Sequence, residues 1–311
     1  MKTFLTGATG VVGRSLVPRL VAAGHDVRAV CRRDDAATAL VAAGAEPVRV
    51  DLFDPDAVMD AVVGSEAVLH LATNVPPLRK AVRPKGWAMH SRLRVDATRN
   101  LVAAAIASGA SHFVKESVTF VYADAGDEWI DERAALIPDL GHLLAAAVEG
   151  EQLALEFAAS GGAAAILRFG LFYGGVDNRG TLDALKLARV RRSTIAGSPD
   201  AYMASIQCDD VATAVLAALS VETGVYNVVD DTPLRRGDYL DAFATAFEVA
   251  TPKPTPGRLM KLGAGSSAAG MIASQRVSNA SFRSMTGWAP AYPDARMGWA
   301  AEAASRKDIT P

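Results

Sequence analysis

The first thirteen residues, MKTFLTGATGVVG, decide the fold of this chain. A strand candidate, Lys2–Leu5, runs into a turn that contains Gly7, Gly10 and Gly13, and an apolar helical repeat follows. Glycines at this spacing allow a tight turn, close approach of a pyrophosphate and close packing of helix on strand. The free N–H groups at the start of the helix then face the phosphates. The stretch predicts a dinucleotide site; a plain tight turn is the alternative.

Beyond this turn, short apolar runs alternate with helical patterns. The strand candidates lie at residues 27–31, 47–50, 67–71 and 113–117, and the helix candidates lie at 35–43, 55–63 and 87–108. Glycines follow the helix candidates and are placed to end them. A βαβα rhythm with Val- and Leu-rich strands is typical of a parallel sheet covered on both faces. We therefore predict an α/β protein with a doubly wound parallel Rossmann sheet.

The rhythm loosens after residue 122. A strong helix at 143–160 and a strand at 163–168 follow, and the segments 204–208 and 225–229 are expected to return to the sheet. We predict a dinucleotide-binding Rossmann domain from residues 1–170 plus 204–232. Residues 171–203 plus 233–311 form a smaller C-terminal substrate lobe over the carboxyl edge of the sheet, where doubly wound folds bind ligands.

Composition excludes several classes of protein. The 311 residues are 50% hydrophobic and 21% charged, which excludes a disordered chain, a collagen and a coiled coil. The net charge of −2 gives no basic field for nucleic acid or an anionic membrane. The two cysteines and five histidines have no disulfide-framework or metal-site spacing. With no signal peptide and no run of 18 apolar residues, we expect a reduced cytoplasmic location, and nothing indicates an oligomeric state.

The form of the turn, TGxxGxxG, resembles that of the extended short-chain dehydrogenase/reductases, the family of the nucleotide-sugar epimerases and dehydratases. The resemblance covers nearly the whole chain. Val50–Asp54 resembles the family's adenine-contacting GDL.D motif, and His70–Ala72 resembles its HLAA. Leu167–Gly174 is similar to LRPGxVYG, with Phe169 in place of the usual Pro, and Ser205–Ala212 is similar to FIHVDDVA.

This resemblance implies a nicotinamide dinucleotide as cofactor. The residues that it places against the cofactor are Gly7, Thr9, Gly10, Val11, Val12, Gly13, Asp51, Leu52, Leu71, Ala72, Thr73, Ser117, Phe169, Gly170 and Leu171.

The end of the second strand predicts which dinucleotide is preferred. Arg32 and Arg33 stand where an NAD site usually has a carboxylate for the ribose hydroxyls, and the first acid is Asp34. Arginine accommodates a 2′-phosphate. We therefore expect NADP(H) to be favoured over NAD(H); the alternative is a solvated basic loop.

The catalytic tetrad of the family is missing. The family uses an Asn, a Ser or Thr, a Tyr and a Lys: the Tyr exchanges a proton with the substrate oxygen, and the Lys lowers the pKa of the Tyr. Alignment on the neighbouring motifs places Arg94, Val118, Leu143 and Ala147 at these four positions. The cofactor motifs are therefore retained while the proton relay is not.

A shifted alignment does not restore the relay. Residues 123–172 contain no Tyr and residues 116–185 contain no Lys, so the relay helix cannot carry YxxxK. Ser117 and Thr119 flank the vacant hydroxyl position and are candidates for contact with polar atoms of cofactor or substrate. His142 is a further candidate proton donor.

Two charged residues stand in a strand that should be buried. Lys115 and Glu116 belong to the strand candidate at 113–117, where charges are rare. We expect an ion pair to the second lobe, or fraying of the strand end, rather than a role in catalysis.

The preserved cofactor motifs and the missing relay are compatible with an enzyme. Hydride transfer needs only nicotinamide C4 next to an electrophilic carbon. A substrate phenol that is hydrogen-bonded to its own ketone can supply the proton, as aromatic polyketides allow. The chain resembles the atypical ketoreductases of actinobacterial antibiotic pathways, which implies an NADPH-dependent ketoreductase acting on an angucyclinone-type aromatic small molecule.

Two other functions fit the same fold. A non-enzymatic NADP(H)-binding redox sensor or regulator needs no relay at all, and fold alone does not decide function. A sugar epimerase or dehydratase is disfavoured, because it oxidises a sugar hydroxyl that cannot assist its own deprotonation and therefore needs the Tyr.

Overall fold

The computed structural model describes residues 1–81, 84–175 and 178–307. The chain divides into two compact units, one of residues 1–117, 145–168 and 212–226, the other of residues 118–144, 169–211 and 227–311. The division predicted from the sequence groups residues 118–144 with the Rossmann domain, whereas this clustering groups them with the second unit.

A central parallel sheet of seven strands dominates the described part of the chain. Its order is β12-β7-β5-β4-β1-β2-β3. The strands are β1 (Lys2–Thr6), β2 (Asp26–Val30), β3 (Glu46–Val48), β4 (Ala67–His70), β5 (His112–Val118), β7 (Ala163–Phe169) and β12 (Gly224–Val228). The step from β3 across β2 and β1 to β4 reverses the direction of strand addition beside β1, as in a doubly wound fold. The predicted fold class is confirmed.

The first unit covers this sheet with helices. They are α1 (Val11–Ala22), α2 (Asp34–Ala42), α3 (Pro55–Val62), α4 (Leu78–Ala81), α5 (Ala88–Arg92), α6 (Thr98–Ser108), α7 (Gly141–Glu156) and α9 (Cys208–Ala217), of which α7 and α9 begin in the second unit. Apolar side chains of α3, α6 and the strands, among them Phe4, Val58, Leu101 and Phe113, form one buried core.

The uninterrupted helix predicted for residues 87–108 is wrong. A 3₁₀ turn at Pro84–Trp87 leads into α5, and a π-helical segment at Leu93–Ala97 separates α5 from α6. The π-helical segment contains Arg94, whose carbonyl oxygen accepts a hydrogen bond from Thr98 Oγ1 at 2.7 Å. Such π-segments insert one extra residue and occur often at functional sites. A helical repeat in the sequence does not reveal them.

The second unit is built from four two-stranded sheets. The pairs are β6 (Trp129–Ile130) with β15 (Arg276–Val277), β8 (Leu171–Tyr173) with β11 (Ser205–Gln207), β9 (Arg192–Ala196) with β14 (Lys253–Thr255), and β10 (Tyr202–Met203) with β13 (Leu234–Arg235). Its helices are α8 (Arg179–Ala188), α10 (Arg236–Ala246), α11 (Gly257–Ala264), α12 (Ala268–Ile272), α13 (Ala280–Thr286) and α14 (Ala295–Lys307). These counts refer to the described residues.

The predicted return of residues 204–208 to the central sheet is wrong. β11 pairs with β8, whereas β12 does join the central sheet. The reason lies at Gly170, directly after β7: the next residue, Leu171, donates its N–H to Ala204 O at 2.9 Å. A Cβ at Gly170 would lie 2.8 Å from Ser205 N. The chain therefore leaves the central sheet at this glycine and starts a separate ladder.

Two further observations concern the whole described chain. None of its helices in residues 1–81, 84–175 and 178–307 has both the length and the apolar character that a membrane span requires. Within the same ranges, no group of three or more His, Cys, Asp or Glu side chains is arranged to hold a metal ion.

Candidate cofactor and active site

The glycine-rich turn lies between β1 and α1 in the first unit. Gly7 has φ +81°, and a Cβ there would lie 2.6 Å from Leu71 C, so only glycine fits against the end of β4. A Cβ at Gly13 would lie 2.4 Å from Ala8 O. The turn is therefore packed tightly against the sheet on one side and against its own helix on the other.

Gly10 differs from these two glycines. It is the N-cap of α1, and among the described residues no side chain caps that helix by a hydrogen bond. A Cβ at Gly10 would meet one backbone atom, Gly7 O at 3.2 Å, and otherwise open space. The first-turn N–H groups of Val11, Val12 and Gly13 are free for an anion. This open cradle at a helix N-terminus fits the pyrophosphate of a dinucleotide.

The two arginines after β2 have different surroundings. Both are exposed. Arg33 Nε donates to Asp35 Oδ1 at 2.9 Å, and Asp34 is paired with Arg49. No side-chain partner of Arg32 is found in the part of the chain that the structure describes. Arg32 is thus the cation that is free to meet a phosphate, whereas Arg33 is already neutralised by Asp35.

The remaining predicted cofactor residues of the first unit lie at strand ends. Exposed Asp51 accepts a hydrogen bond from Phe53 N at 3.0 Å, and Leu52 O accepts one from Asn100 Nδ2 at 3.0 Å. The segment directly after β4 contains Leu71 and Ala72, which are half-buried, and Thr73, which is exposed. Thr9 is half-buried in the glycine-rich turn.

Three of the predicted cofactor residues lie at the junction of β7 and β8. Phe169 is buried and ends β7, Gly170 lies between the two strands, and Leu171 begins β8. The Phe169 ring packs edge-on against Phe172 at 5.3 Å between ring centroids. Here the chain resembles LRPGxVYG but lacks its Pro, and the aromatic pair fills this position.

The four relay positions hold no group that could pass a proton in the way of the Tyr. Leu143 is 7% exposed and Ala147 is 2% exposed, both on α7, and Val118 is half-buried at the end of β5. Arg94 is 3% exposed in the π-helical segment, with its Nη2 donating to Glu116 Oε1 at 2.9 Å and its Nε facing His90 Nε2 at 2.8 Å.

Ser117 belongs to a buried hydrogen-bond network. Its Oγ donates to Glu151 Oε1 at 2.5 Å, and both oxygens of that carboxylate also accept from Arg168, Oε1 from Nε at 2.9 Å and Oε2 from Nη2 at 2.6 Å. All three side chains are buried in the first unit. This bidentate pair ties β5, α7 and β7 together.

Thr119 and His142, in the second unit, are the other candidates. Thr119 is fully buried, and its Oγ1 has no hydrogen-bond partner among the residues described. His142 is exposed in the first turn of α7. Tyr173 is not a candidate acid, because its ring packs on Tyr239 and Trp299 and burial raises its pKa above the ordinary value.

The expected ion pair from Lys115 or Glu116 to the second lobe is wrong. Glu116 pairs with Arg94 inside the first unit, and Lys115 Nζ donates to Glu116 O at 2.7 Å. The strand end does not fray, since β5 continues to Val118. Sequence reasoning identified the unusual charges but not their partner, because Arg94 is 22 residues away on the π-helical segment.

Comparisons with known proteins agree with this geometry. Residues 3–228 match the model of the NAD dependent epimerase/dehydratase family. The chain is 33% identical over 310 residues to a 3-diazoavenalumate denitrifying reductase from a Streptomyces species, a match that covers 96% of this chain and 99% of that protein. It is 29% identical over 203 residues to a 4-hydroxy-2-methyl-3-oxo-4-farnesyl-3,4-dihydroquinoline-1-oxide ketoreductase from Stigmatella aurantiaca, covering 61% of this chain and 57% of that protein.

The fold is also that of a solved structure. MoeE5 in complex with UDP-glucose and NAD superposes with a TM-score of 0.79 over 100% of both chains, at 24% identity. The family is nicotinamide-dinucleotide dependent, and the relatives above are reductases. The chain therefore belongs to the NAD dependent epimerase/dehydratase family of extended short-chain dehydrogenase/reductases, and it is an NAD(P)-dependent oxidoreductase.

Proposed function

We propose that the chain reduces a ketone of an aromatic polyketide, of the angucyclinone type, with NADPH as the preferred cofactor. The observation that carries this proposal is the apolar character of Val118, Leu143 and Ala147, where the family has its proton-transfer groups. A ketone with an adjacent phenol brings its own proton donor. The match to a ketoreductase from Stigmatella aurantiaca supports a ketone as the acceptor.

The residues of this chain have separate tasks in that reaction. When bound, the nicotinamide supplies the hydride. The turn at Gly7, Gly10 and Gly13 holds the pyrophosphate through free N–H groups of α1. The alkoxide that forms on the substrate takes its proton from the neighbouring phenol, and solvent later returns that proton to the phenolate. Leu143 and Ala147 present no charge or hydroxyl that would compete with this internal hydrogen bond.

The preference for NADPH rests on Arg32. It is exposed at the end of β2, and none of the described residues holds its guanidinium. A 2′-phosphate paired with it gains a charge-assisted hydrogen bond. Arg33 contributes less, because Asp35 already binds it with two hydrogen bonds.

A reduction with isotopically labelled cofactor tests the proposal. NADPH deuterated at C4 is incubated with an aromatic ketone that carries an adjacent phenol, and the product is analysed by mass spectrometry. We expect one deuterium on the new carbinol carbon, with NADPH used in preference to NADH. Absence of NADPH oxidation with a set of such ketones would contradict the proposal.

A second candidate function is the reductive removal of a diazo group. It is favoured by the 33% identity over nearly the full chain to a reductase named for that chemistry. Hydride addition to the ring carbon of an arenediazonium ion forms the C–H bond, and the C–N electron pair leaves with N₂. No oxyanion develops in this step, so a site without an acid at Val118 and Leu143 suits it as well.

The same labelling experiment separates the functions. Deuterium on an arene carbon, with release of N₂, indicates the diazo reaction, and deuterium on a carbinol carbon indicates the ketone reaction. Binding of NADPH without turnover of either substrate class would instead favour a redox sensor on this fold.

A further inference from the structure

The first unit contains a buried ammonium group that has no ion-pair partner among the described residues. Lys115 is 2% exposed, and its Nζ donates to Glu116 O at 2.7 Å. The carboxylates nearby are already bound, Glu116 to Arg94 and Glu151 to Arg168. Within the described ranges, no carboxylate lies at ion-pair distance from this ammonium. Burial of this charge costs free energy, and the attraction of Glu116 and Glu151 offsets that cost only in part, since the pKa of Lys115 is still lowered to about 8.

Lys115 lies in register with the start of the glycine-rich turn. It pairs with His70 of β4, and His70 pairs with Thr6 of β1, the residue that directly precedes Gly7. Neighbouring strands are about 4.8 Å apart, so the backbone of Lys115 is about 10 Å from that of Thr6. The Lys115 stem runs past α7, with its Cε 3.5 Å from where a Cβ of Gly150 would be.

The strand order shows which half of a dinucleotide this charge faces. Ligands of open α/β sheets bind at the carboxyl ends of the strands. The pyrophosphate belongs at α1, after β1, and Arg32 marks the adenosine side, after β2. The other half of the molecule must then extend in the opposite direction, over the ends of β4 and β5. Lys115 is level with His70, the last residue of β4, and lies three residues, about 10 Å, before the end of β5.

We propose that Lys115 is a redox-selective element of the cofactor site, a buried cation that makes the first unit bind NADPH more tightly than NADP⁺. The proposal rests on the proposed use of a nicotinamide dinucleotide and adds a residue to it. The phosphates are the same in both cofactors, so their attraction to Lys115 cancels in the ratio of the dissociation constants. The positive charge of the oxidised nicotinamide does not cancel. A nicotinamide over the end of β5 is about 10 Å from Lys115, by the three residues of strand between them. At that separation in a protein interior, the repulsion corresponds to a ratio of roughly 5- to 20-fold.

The groups that face Lys115 are His70 from β4, His90 and Arg94 from α5 and the π-helical segment, Glu116 from β5 and Glu151 from α7. Burial, followed by the charges of Lys115 and Arg94, lowers the pKa of both histidines to about 3, so they are neutral above about pH 5. Burial lowers the pKa of Lys115 to about 8. A group whose pKa is lowered loses its positive charge earlier as the pH rises, so the selectivity is present below about pH 8 and declines above it.

The test compares Lys115→Met with the matched control Lys2→Met, an exposed lysine at the amino end of β1. Isothermal calorimetry gives the dissociation constants of NADPH and NADP⁺ for each. We expect Lys115→Met to reduce the NADPH preference by roughly 5- to 20-fold, and Lys2→Met to leave it unchanged. Replacement of an unpaired buried charge by an apolar side chain of similar length should not lower the unfolding temperature.

The unmodified chain supplies a second measurement that does not depend on the folding of a variant. Its NADPH preference should fall between about pH 6.5 and about pH 9.5, while that of Lys115→Met stays constant. A preference that is the same in Lys115→Met and in the unmodified chain, or one that does not change with pH in the unmodified chain, would overturn the proposal. If neither cofactor binds the unmodified chain, the proposed function itself fails.

Discussion

The glycine-rich turn keeps the residues typical of the family, whereas the relay positions do not. The turn retains Gly7, Gly10 and Gly13: a side chain would clash with backbone atoms at Gly7 and Gly13, whereas at Gly10 it would enter the open cradle. The relay positions on β5 and α7 hold Val118, Leu143 and Ala147, none of which can exchange a proton. Cofactor binding depends here on backbone N–H groups and proton transfer on side chains, so the second can be lost while the first is kept.

Helix α7 shows the same contrast within one element. Its first half carries the apolar residues Leu143 and Ala147, yet Glu151, one turn later, is held by Ser117 and by both donors of Arg168. The helix therefore keeps the contacts that fix it to β5 and β7. Loss of the relay is a local chemical change and not a loss of structure, which is what an enzyme with a substrate-supplied proton requires.

The largest expected effect comes from the substrate. O-methylation of the phenol beside the ketone removes the internal proton donor and leaves an alkoxide in a site without an acid at Val118 or Leu143. We expect the single-turnover rate of NADPH oxidation to fall by about 10²- to 10⁴-fold, the range for general-acid assistance. NADPH affinity, measured by calorimetry, serves as the control and should not change.

Equal rates for the free and the O-methylated ketone would show that the protein supplies the acid. In that case His142, exposed in the first turn of α7, is the first residue to replace. The proton donor would then have moved to another residue, and the contrast between a retained glycine-rich turn and a lost proton relay would no longer hold.

The second effect concerns the turn. Gly10→Val should weaken NADPH binding by about 100-fold, because its side chain fills the cradle and displaces charge-assisted hydrogen bonds of the phosphates. Stability should change little, since a Cβ at Gly10 meets only Gly7 O, at 3.2 Å. Gly13→Ala is the matched contrast: its Cβ would lie 2.4 Å from Ala8 O, so both binding and thermal stability should fall. Unchanged NADPH affinity in a folded Gly10→Val variant would show that the glycine motif is only a tight turn and does not bind the phosphates.

Much of the first unit could be predicted from the sequence, because its signals are local. The glycine spacing at residues 7–13 and the alternation of apolar runs predict the doubly wound sheet, and the predicted ends of its strands agree with the structure within two residues. The prediction failed where a tertiary contact overrides a local pattern. The sequence of β11 predicts another strand of the central sheet, but β11 pairs with β8 because the chain leaves that sheet at Gly170.

The buried charges show the other limit. Lys115 and Glu116 are visible in the sequence as anomalies, and nothing local indicates their surroundings. The partner of Glu116 is Arg94, and it is reached through a π-helical segment that a 3.6-residue repeat cannot reveal. Residues that break the pattern of their own element are therefore good indicators of a site, although they do not identify its other members.

The third effect separates the two arginines after β2. Arg32→Ala should weaken NADPH binding by roughly 5- to 150-fold, equivalent to about 1–3 kcal/mol, and leave NADH binding unchanged. Arg33→Ala should have a smaller effect, because Asp35 already holds its guanidinium. Calorimetric titration of both cofactors measures this. An unmodified chain that binds NADH as tightly as NADPH would contradict the assignment of Arg32 to the 2′-phosphate.

The smallest effects on rate are expected for variants of the two hydroxyl residues beside the vacant relay position, Ser117 and Thr119. The two variants should differ in their effect on protein stability. Ser117→Ala removes a donor from Glu151, so the free energy of unfolding in urea should fall by about 1–3 kcal/mol. Thr119→Val should leave it unchanged or raise it, because the buried Thr119 Oγ1 has no hydrogen-bond partner in the described chain. Both variants should retain the reduction rate within about tenfold, since neither residue occupies the relay position. A loss of 10²-fold or more in Thr119→Val at unchanged stability would identify that hydroxyl as the proton donor, because the only property removed is its ability to donate to the substrate oxygen.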